Sequence, residues 1–371
     1  MRIVIGTGGT AGHIFPALVT GERLRDRYGA DVVFVGTDTG QEGALVPRAG
    51  FPLESIEAMP FHRRVSLRAI RAPLSALRAS GRARAFVRPA DAVLGMGGYV
   101  SVPIALAAGR ERVPLIVHEQ NAVLGLANRL AARWASAVAL SFREAGKRVP
   151  NHTRAVMTGN PVRDVIARSA RERHELAGEA LRELELAEGR STILVFGGSQ
   201  GAVRLNRAAI GLCGLLRERE DLQVLVVAGP RNHEEVVRHL PTGGPLLIRV
   251  VPFLERIELA YSVADLAVAR AGATTVAELS VSGVPAILVP YPYATGNHQE
   301  ANARAVERAG GAVVLLDEQA TGAALARLLD DMFRWPDRLA SMGRAARGFS
   351  RPDAGEALAG LVVSVAGGER P

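Results

Sequence analysis

Short apolar runs alternate along the whole chain with longer stretches whose apolar residues recur every three or four positions. The runs fall at 2–5, 31–35, 92–95, 115–117 and 137–140, and again at 192–196, 223–227, 246–250, 266–269 and 286–289. Each is rich in β-branched and aliphatic residues and too short for a helix, so each predicts a strand. Strands that alternate with helices from end to end predict a parallel sheet flanked by helices, an α/β architecture.

The two halves open alike. IVIGTGGTAG at 3–12 and ILVFGGSQGA at 193–202 each run from an apolar strand into a glycine turn that opens a helix. This duplication predicts two Rossmann-like domains facing a cleft. A length of 371 residues suits two cores better than one. The junction is expected just after GNPVR, with an N-terminal domain over 1–163 and a C-terminal domain over 164–345. A last helix, around 353–365 within the closing stretch of about 346–371, is expected to return and pack on the first domain.

Composition narrows the possibilities. The single cysteine, Cys213, forbids an intramolecular disulfide and reads as a small buried hydrophobe in a reducing compartment. Residues 3–19 carry no Lys, Arg, Asp or Glu, but glycines, His13 and Pro16 interrupt them. A strand, a turn and a helix explain that stretch better than a secretory signal. No other segment offers some 18 uninterrupted apolar residues, so no membrane span is expected. The net charge of +8 is carried almost entirely by arginine, Lys147 being the only lysine. Such a surface favours anionic lipid or phosphorylated partners. An aromatic content of 5% argues against single-stranded nucleic acid, and no RNA-binding or zinc-finger pattern is present, so nucleic acid is not an expected partner.

Glycine turns after strands bring backbone N–H groups close to phosphate, and the following helix adds its positive end. Four such turns occur, at 8–12, 95–98, 197–201 and 271–273. One alone is often only a tight connection. Four in two matched halves point to an enzyme that handles diphosphates. GTGGTAG does not reproduce the glycine spacing of a nicotinamide-dinucleotide fingerprint, although Asp38 can mimic its ribose acid, which keeps a dehydrogenase as a minor reading. No two aspartates stand two apart and the histidines show no short ligand spacing. Neither a metal nor another cofactor is therefore expected. A diphosphate leaving group would rest on helix N-termini and backbone amides, with arginine as helper.

His13 follows Gly12 directly at the expected start of the first helix, where the dipole disfavours an imidazolium. A neutral imidazole there suits a general base. The blander alternative is that His13 caps the turn or donates to phosphate, in which case Glu119 is the candidate base. The segment that begins at Ala58 and ends at Ala90 holds eight arginines and no acid, with Leu67, Ile70, Leu74 and Leu77 at helical spacing beside Arg68, Arg71 and Arg78. It reads either as a basic amphipathic face for an anionic membrane surface or as a core-packed helix with solvated arginines.

The motifs GGTAGHIFPAL (8–18), GMGGYVSVP (95–103), HEQNAVLGLANR (118–129), TGNPVR (158–163), FGGSQGA (196–202), RAGATTVAEL (270–279) and GNHQEANA (296–303) stand in a distinctive order and spacing. By them the chain resembles the MurG family of glycosyltransferases over about residues 2–350. The resemblance implies a GT-B fold and an inverting transfer of N-acetylglucosamine from UDP-N-acetylglucosamine. It implies as acceptor lipid I, the undecaprenyl-diphosphate-linked muramyl-pentapeptide, and a peripheral place on the cytoplasmic face of the cell membrane. Ala11 replaces a glycine usual in the first loop, and His298 stands before Gln299 where the family often has a second glutamine.

The same resemblance assigns residues. In the C-terminal domain, Glu278 would accept from the ribose hydroxyls. Ser199 and the amides of Ala273, Thr274 and Thr275, with Val276 and Ala277 behind them, would meet the diphosphate. Arg163 and Leu254 would meet the uracil and Gln299 the sugar hydroxyls. In the N-terminal domain Thr10, Ala11, Gly12, Tyr99, Glu119 and Asn121 line the expected acceptor loops, and Asn121 can instead reach the donor. Plain readings stand beside these. Thr275-x-x-Glu278 is also a capping box, Ser199 and Gln299 are ordinary loop residues, and Tyr99 is a packed aromatic. Within the fold, a diacylglycerol glycosyltransferase and a UDP-N-acetylglucosamine 2-epimerase remain as rivals, and a non-catalytic UDP-sugar-binding subunit as a third.

Overall fold

The computed structural model describes residues 1–57, 67–198 and 202–368, with side chains except those of 67–76 and 336. The chain forms two compact units, Met1–Arg163 with Arg351–Pro371, and Asp164–Ser350. The helix Pro336–Phe349 runs unbroken through residue 346, so the chain leaves the second unit at 350, not at 345 as the sequence pattern suggested.

The first unit is built on β1 (Arg2–Gly6), β2 (Asp31–Gly36), β3 (Leu53–Ser55), β4 (Ala92–Gly95), β5 (Leu115–Glu119), β6 (Ala137–Leu140) and β7 (Arg154–Met157). They form one parallel sheet in the order β3-β2-β1-β4-β5-β6-β7. Its central strands are largely apolar because both faces are covered, with His118 and Glu119 at the end of β5 as exceptions. On one face Ile3, Ile5, Phe34 and Leu94 pack against the helix Ala11–Tyr28. The closing helix Ala354–Ala366 joins the same cluster through Leu358, Ala359, Val362 and Val365. It is tied further by Tyr28 Oη donating to Glu356 at 2.7 Å. On the other face Val4, Val93, Val117 and Val138 pack with the helices Leu67–Val87, Ser101–Glu111 and Leu126–Ala131.

The second unit repeats the plan. β8 (Ser191–Phe196), β9 (Leu222–Val227), β10 (Leu247–Val251), β11 (Ala264–Ala269), β12 (Ala286–Leu288) and β13 (Ala312–Val314) form a parallel sheet in the order β10-β9-β8-β11-β12-β13. Ile193, Val195, Val224, Val226 and Leu266 pack with Leu205, Leu212, Leu325 and Leu329 of the helices Val203–Leu215 and Gly322–Phe333. Cys213 is buried in this cluster, and burial pushes its thiol up to about 12, so it stays protonated and inert.

Three strands of the structure, β3, β7 and β13, are absent from the sequence pattern. Each is an edge strand of three or four residues, only partly buried or exposed along most of its length. β3 and β7 include polar residues, since an edge strand needs no continuous apolar run, and β13 is apolar but only three residues long.

In each sheet the strand order reverses beside the first strand of its unit, between β1 and β4 and between β8 and β11. Ligands of open α/β sheets bind outside the carboxyl ends of the strands at such a reversal. The candidate residues gather there.

Candidate active site

In the first unit Gly6 at the end of β1 pairs with Gly95 at the end of β4, and Gly95 pairs with Val117 of β5. The loops that follow these strands therefore lie side by side. His13 is the third residue of the helix Ala11–Tyr28, and its backbone N–H donates to the Thr10 carbonyl at 3.0 Å. The Thr10 hydroxyl makes no cap bond to the helix and instead stands 3.2 Å from His13 Nδ1. Gly97 and Gly98 have φ of 91° and 77°. A Cβ on Gly98 would sit 2.9 Å from the Gly8 carbonyl oxygen and 3.7 Å from His13 Nδ1, so only glycine lets the two loops meet. Thr10 is exposed, and Ala11, Gly12 and His13 are half-buried. Tyr99 lies against Gly9 and also packs on the apolar core, so the plain reading of it accounts for part of its surface.

The glycine turn after β1 is not wholly open to a phosphate. Glu42, fully buried, takes the Gly9 N–H at 3.2 Å with one oxygen. With the other it takes the Thr37 N–H at 3.2 Å and the Thr37 hydroxyl at 2.6 Å. A carboxylate behind this turn leaves fewer amides for an anion there than the glycine pattern suggested. The sequence offers no signal for it beyond one acid in a polar loop.

Glu119 ends β5 and is buried. One oxygen accepts from the Asn121 N–H at 3.0 Å and from Asn121 Nδ2 at 3.2 Å. The other accepts from the Gly125 N–H and from Asn128 Nδ2, both at 2.9 Å. Burial pushes the carboxyl above the usual range, and these hydrogen bonds act against the shift. With both oxygens doubly engaged, Glu119 organises the loop 120–128, and Asn121 is turned onto it. A base needs a lone pair aimed at the incoming proton, which makes His13 the better placed of the two.

Beneath them His118 is fully buried, with Nε2 2.9 Å from the Gly159 carbonyl and Nδ1 3.1 Å from Gln120 Nε2. Gln120 Nε2 also donates to the Met96 carbonyl at 2.8 Å. A carbonyl at one ring nitrogen and an amide N–H at the other require a neutral Nε2–H imidazole. Burial pushes its pKa down to about 4.

In the second unit Ala269 at the end of β11 pairs with Phe196 at the end of β8. Ser199 lies outside the described residues. The helix Ala273–Ser282 starts at this reversal with Gly272 as its N-cap and no side chain capping it. Its first amides are those of Ala273, Thr274 and Thr275. Among the described residues the Thr274 hydroxyl is buried with no hydrogen-bond partner, Ala273 and Val276 are buried, and Thr275 and Ala277 are half-buried. Thr275 is inside the helix, so a capping box between Thr275 and Glu278 is ruled out. Glu278 sits in the second turn, 7% exposed, and accepts from Tyr261 Oη at 3.0 Å. Tyr261 comes from the helix Ile257–Val263 and is not foreshadowed by the sequence.

The loop after β12 is fixed from several sides. Gln299 Oε1 accepts from the Tyr291 N–H at 2.9 Å. Arg270, buried, donates to the carbonyls of Val289 and Pro290 and pairs with Asp317 at 2.6 Å. Its guanidinium is therefore committed to the protein and is not the arginine helper expected beside a diphosphate. Buried Asn302 donates to the Ala271 carbonyl at 3.1 Å. Leu254 is half-buried just after β10. Arg163 lies in the first unit, its guanidinium 5.3 Å from the Phe15 ring, so it does not share a unit with Leu254. Among the described residues, no group of three or more His, Cys, Asp or Glu could hold a metal ion.

Known proteins resemble the chain from end to end. Residues 3–140 match the glycosyltransferase family 28 N-terminal domain, and residues 192–358 match the glycosyltransferase family 28 C-terminal domain. A UDP-N-acetylglucosamine–N-acetylmuramyl-(pentapeptide) pyrophosphoryl-undecaprenol N-acetylglucosamine transferase of Halothermothrix orenii is 40% identical, over 99% of this chain and 100% of the relative. The Bacillus subtilis protein of that name is 36% identical, over 96% of this chain and 98% of its own length. The crystal structure of Acinetobacter baumannii MurG superposes with a TM-score of 0.80 at 31% identity, covering 98% of this chain and 99% of that one. A Neisseria meningitidis UDP-GlcNAc 2-epimerase has a TM-score of 0.71 at 12% identity, covering 98% of this chain and 100% of its own, a likeness of fold alone.

Proposed function

This chain belongs to the family 28 glycosyltransferases, and we propose that it performs the reaction for which its full-length relatives are named. It moves N-acetylglucosamine from UDP-N-acetylglucosamine to the muramyl sugar of undecaprenyl-diphosphate-linked muramyl-pentapeptide. The observation that carries this reading is 40% identity spanning both units, rather than one nucleotide-binding half. The epimerase reading rests on fold alone and is set aside.

The proposed chemistry draws on the residues at the two strand-order reversals. A hydroxyl of the muramyl sugar forms the new bond to the anomeric carbon, and the bond from that carbon to the UDP oxygen breaks. The hydroxyl proton passes to His13, whose ring is oriented by Thr10, and the electron pair leaves on the β-phosphate. In the second unit the amides at the start of the helix Ala273–Ser282 stabilise that charge at the positive end of the helix. Glu278, held by Tyr261, takes the ribose hydroxyls, and Gln299 and Leu254 contact the sugar and base sides. The Arg163 assignment to uracil is weaker, because that side chain stacks on Phe15 in the first unit.

An acceptor with a long lipid requires approach to a membrane, and among the described residues no helix is long and apolar enough to cross one. We place the contact on the basic face of the first unit. Residues 58–66 of the segment ending at Ala90 lie outside the described residues. In the remainder Leu77 is exposed on the helix Leu67–Val87, which packs on the helix Ser101–Glu111. Trp134, 43% exposed, lies against Gly109 of that second helix. It follows the short helix Leu126–Ala131, where Leu126 is 76% exposed and Arg129 and Arg133 stand beside it in solvent. Apolar tips interleaved with arginines suit an anionic bilayer surface.

Product analysis tests the reaction. From an α-linked UDP sugar, inversion gives a β-linked disaccharide on the lipid, readable by NMR. An α linkage would overturn the single-displacement mechanism, and no transfer to the lipid would overturn the function.

A further inference from the structure

We propose that Tyr293 is a sugar-recognition residue, an aromatic platform that meets the C4–C6 edge of the transferred pyranose. The inference rests on the donor reading of the second unit and extends it. Tyr293 is the most exposed large apolar side chain among the described residues, at 81%, yet the loop that carries it is tightly built. The Ala294 N–H donates to the Tyr291 carbonyl and the Asn297 N–H to the Ala294 carbonyl, at 3.2 and 2.9 Å. Gly296 and Asn297 are both left-handed, with φ of 63° and 54°. His298 Nδ1 is 2.8 Å from the Thr295 carbonyl. The Tyr293 ring stands edge-to-face with Tyr291, centroids 5.6 Å apart and planes at 71°. Tyr291 in turn lies 5.5 Å from the guanidinium of buried Arg270. A chain of contacts thus runs from the Asp317–Arg270 pair, two residues before the N-cap of the helix Ala273–Ser282, through Tyr291 to an aromatic face left in solvent. Order without burial is the mark of a surface prepared for a ligand, since a rigid ring loses little entropy on binding.

Gln299 points to the occupant. One lone pair of its carbonyl oxygen is taken by the Tyr291 N–H, which fixes the side chain and leaves the other lone pair and the amide N–H groups for sugar hydroxyls. Hydrogen bonds from one side chain at one edge do not hold a pyranose. A gluco-configured ring is edged by C–H groups around equatorial hydroxyls, and an aromatic side chain packs on them while Gln299 serves the hydroxyl next to it. The attacking hydroxyl needs the face opposite the diphosphate, so the platform meets the C4–C6 edge and leaves that face clear.

The test compares Tyr293→Ala, Tyr293→Phe and Tyr293→Trp in the full chain, using UDP and UDP-N-acetylglucosamine as calorimetric ligands and steady-state kinetics for both substrates. Tyr293→Ala should weaken UDP-N-acetylglucosamine by about three- to tenfold, the scale of one aromatic contact. It should leave UDP itself within twofold, and Phe and Trp should restore the sugar nucleotide to about the wild-type value. Unchanged sugar-nucleotide affinity in Tyr293→Ala overturns the inference. So does an equal loss for UDP, which would make the loop a nucleotide contact, or a rise confined to the acceptor KM. Gln299→Ala and Glu278→Ala separate the premises. If neither weakens UDP-N-acetylglucosamine, the donor reading has failed; if both do while Tyr293→Ala is silent, only the platform has failed.

Discussion

His13, Glu119 and Glu278 look interchangeable as polar residues near glycine turns, but their surroundings give them different work. His13 is half-buried with a hydroxyl at Nδ1, whereas Glu119 spends four hydrogen bonds on its own loop. We expect His13→Ala to lower kcat by at least about a hundredfold with UDP affinity nearly intact. A kcat within about threefold of wild type would remove His13 from the proton transfer. Glu119→Gln puts an amide N–H against N–H donors and should cost about 1–3 kcal/mol of stability, seen as a lower midpoint in denaturant. Wild-type stability in that variant would show that the loop does not depend on the carboxylate. Glu278 is no helix cap, since Gly272 begins that helix. Glu278→Ala should therefore lower donor kcat/KM by about 1.5–3 kcal/mol. A protein that melts earlier with unchanged donor kinetics would leave Glu278 only its bond to Tyr261. At this scale the sequence names the polar residues at the reversals but not their partners. Glu42, Tyr261 and Asn128 reach the site from distant positions, and no local spacing records such contacts.

Among elements, legibility follows burial. Central strands such as β1 and β8 are apolar runs because helices cover both their faces. The edge strands β3 and β7 carry mixed polarity and escape any periodicity rule, and β13 is apolar but only three residues long. The same divide hides the polar network at the end of β5, because a histidine inside an apolar strand does not reveal whether it is charged. His118 gives this element a measurable signature. Its folded pKa, about 4, lies below the ordinary histidine value of 6.5. Above pH 6.5 both states are neutral there and the group adds no pH dependence. As the pH falls from 6.5 towards 4 the unfolded chain takes up the proton first, so stability is lost at up to about 1.4 kcal/mol per pH unit. Other buried groups titrate in this range, so the comparison is with His118→Gln, whose amide can still donate to the Gly159 carbonyl. The stability difference, wild type minus variant, should shrink from pH 6.5 to pH 4. A difference independent of pH would mean that His118 is not held neutral.

At the level of the whole molecule the duplication is plain in the sequence, because both halves repeat strand, glycine turn and helix. The return of the chain is less plain. The pattern places the last helix around 353–365 and the structure has it at Ala354–Ala366, but the boundary read at 345 falls at Ser350, because the helix Pro336–Phe349 continues past it. Charge is also a whole-molecule property. If the basic face of the first unit meets anionic lipid at about 1 kcal/mol per arginine, a few engaged side chains suffice for reversible binding. Vesicle co-sedimentation should then fall with added salt, and with Arg68, Arg71 and Arg78 changed to Ser. Equal binding to neutral and anionic vesicles would contradict an electrostatic contact.

The reaction requires both the sugar nucleotide and the lipid-linked muramyl acceptor, and one assay asks for both. Radiolabelled UDP-N-acetylglucosamine is incubated with the full chain and lipid I, with diacylglycerol, or with neither. Label should enter lipid I alone. Label in diacylglycerol, an epimerised sugar nucleotide without acceptor, or no turnover in any arm would contradict it.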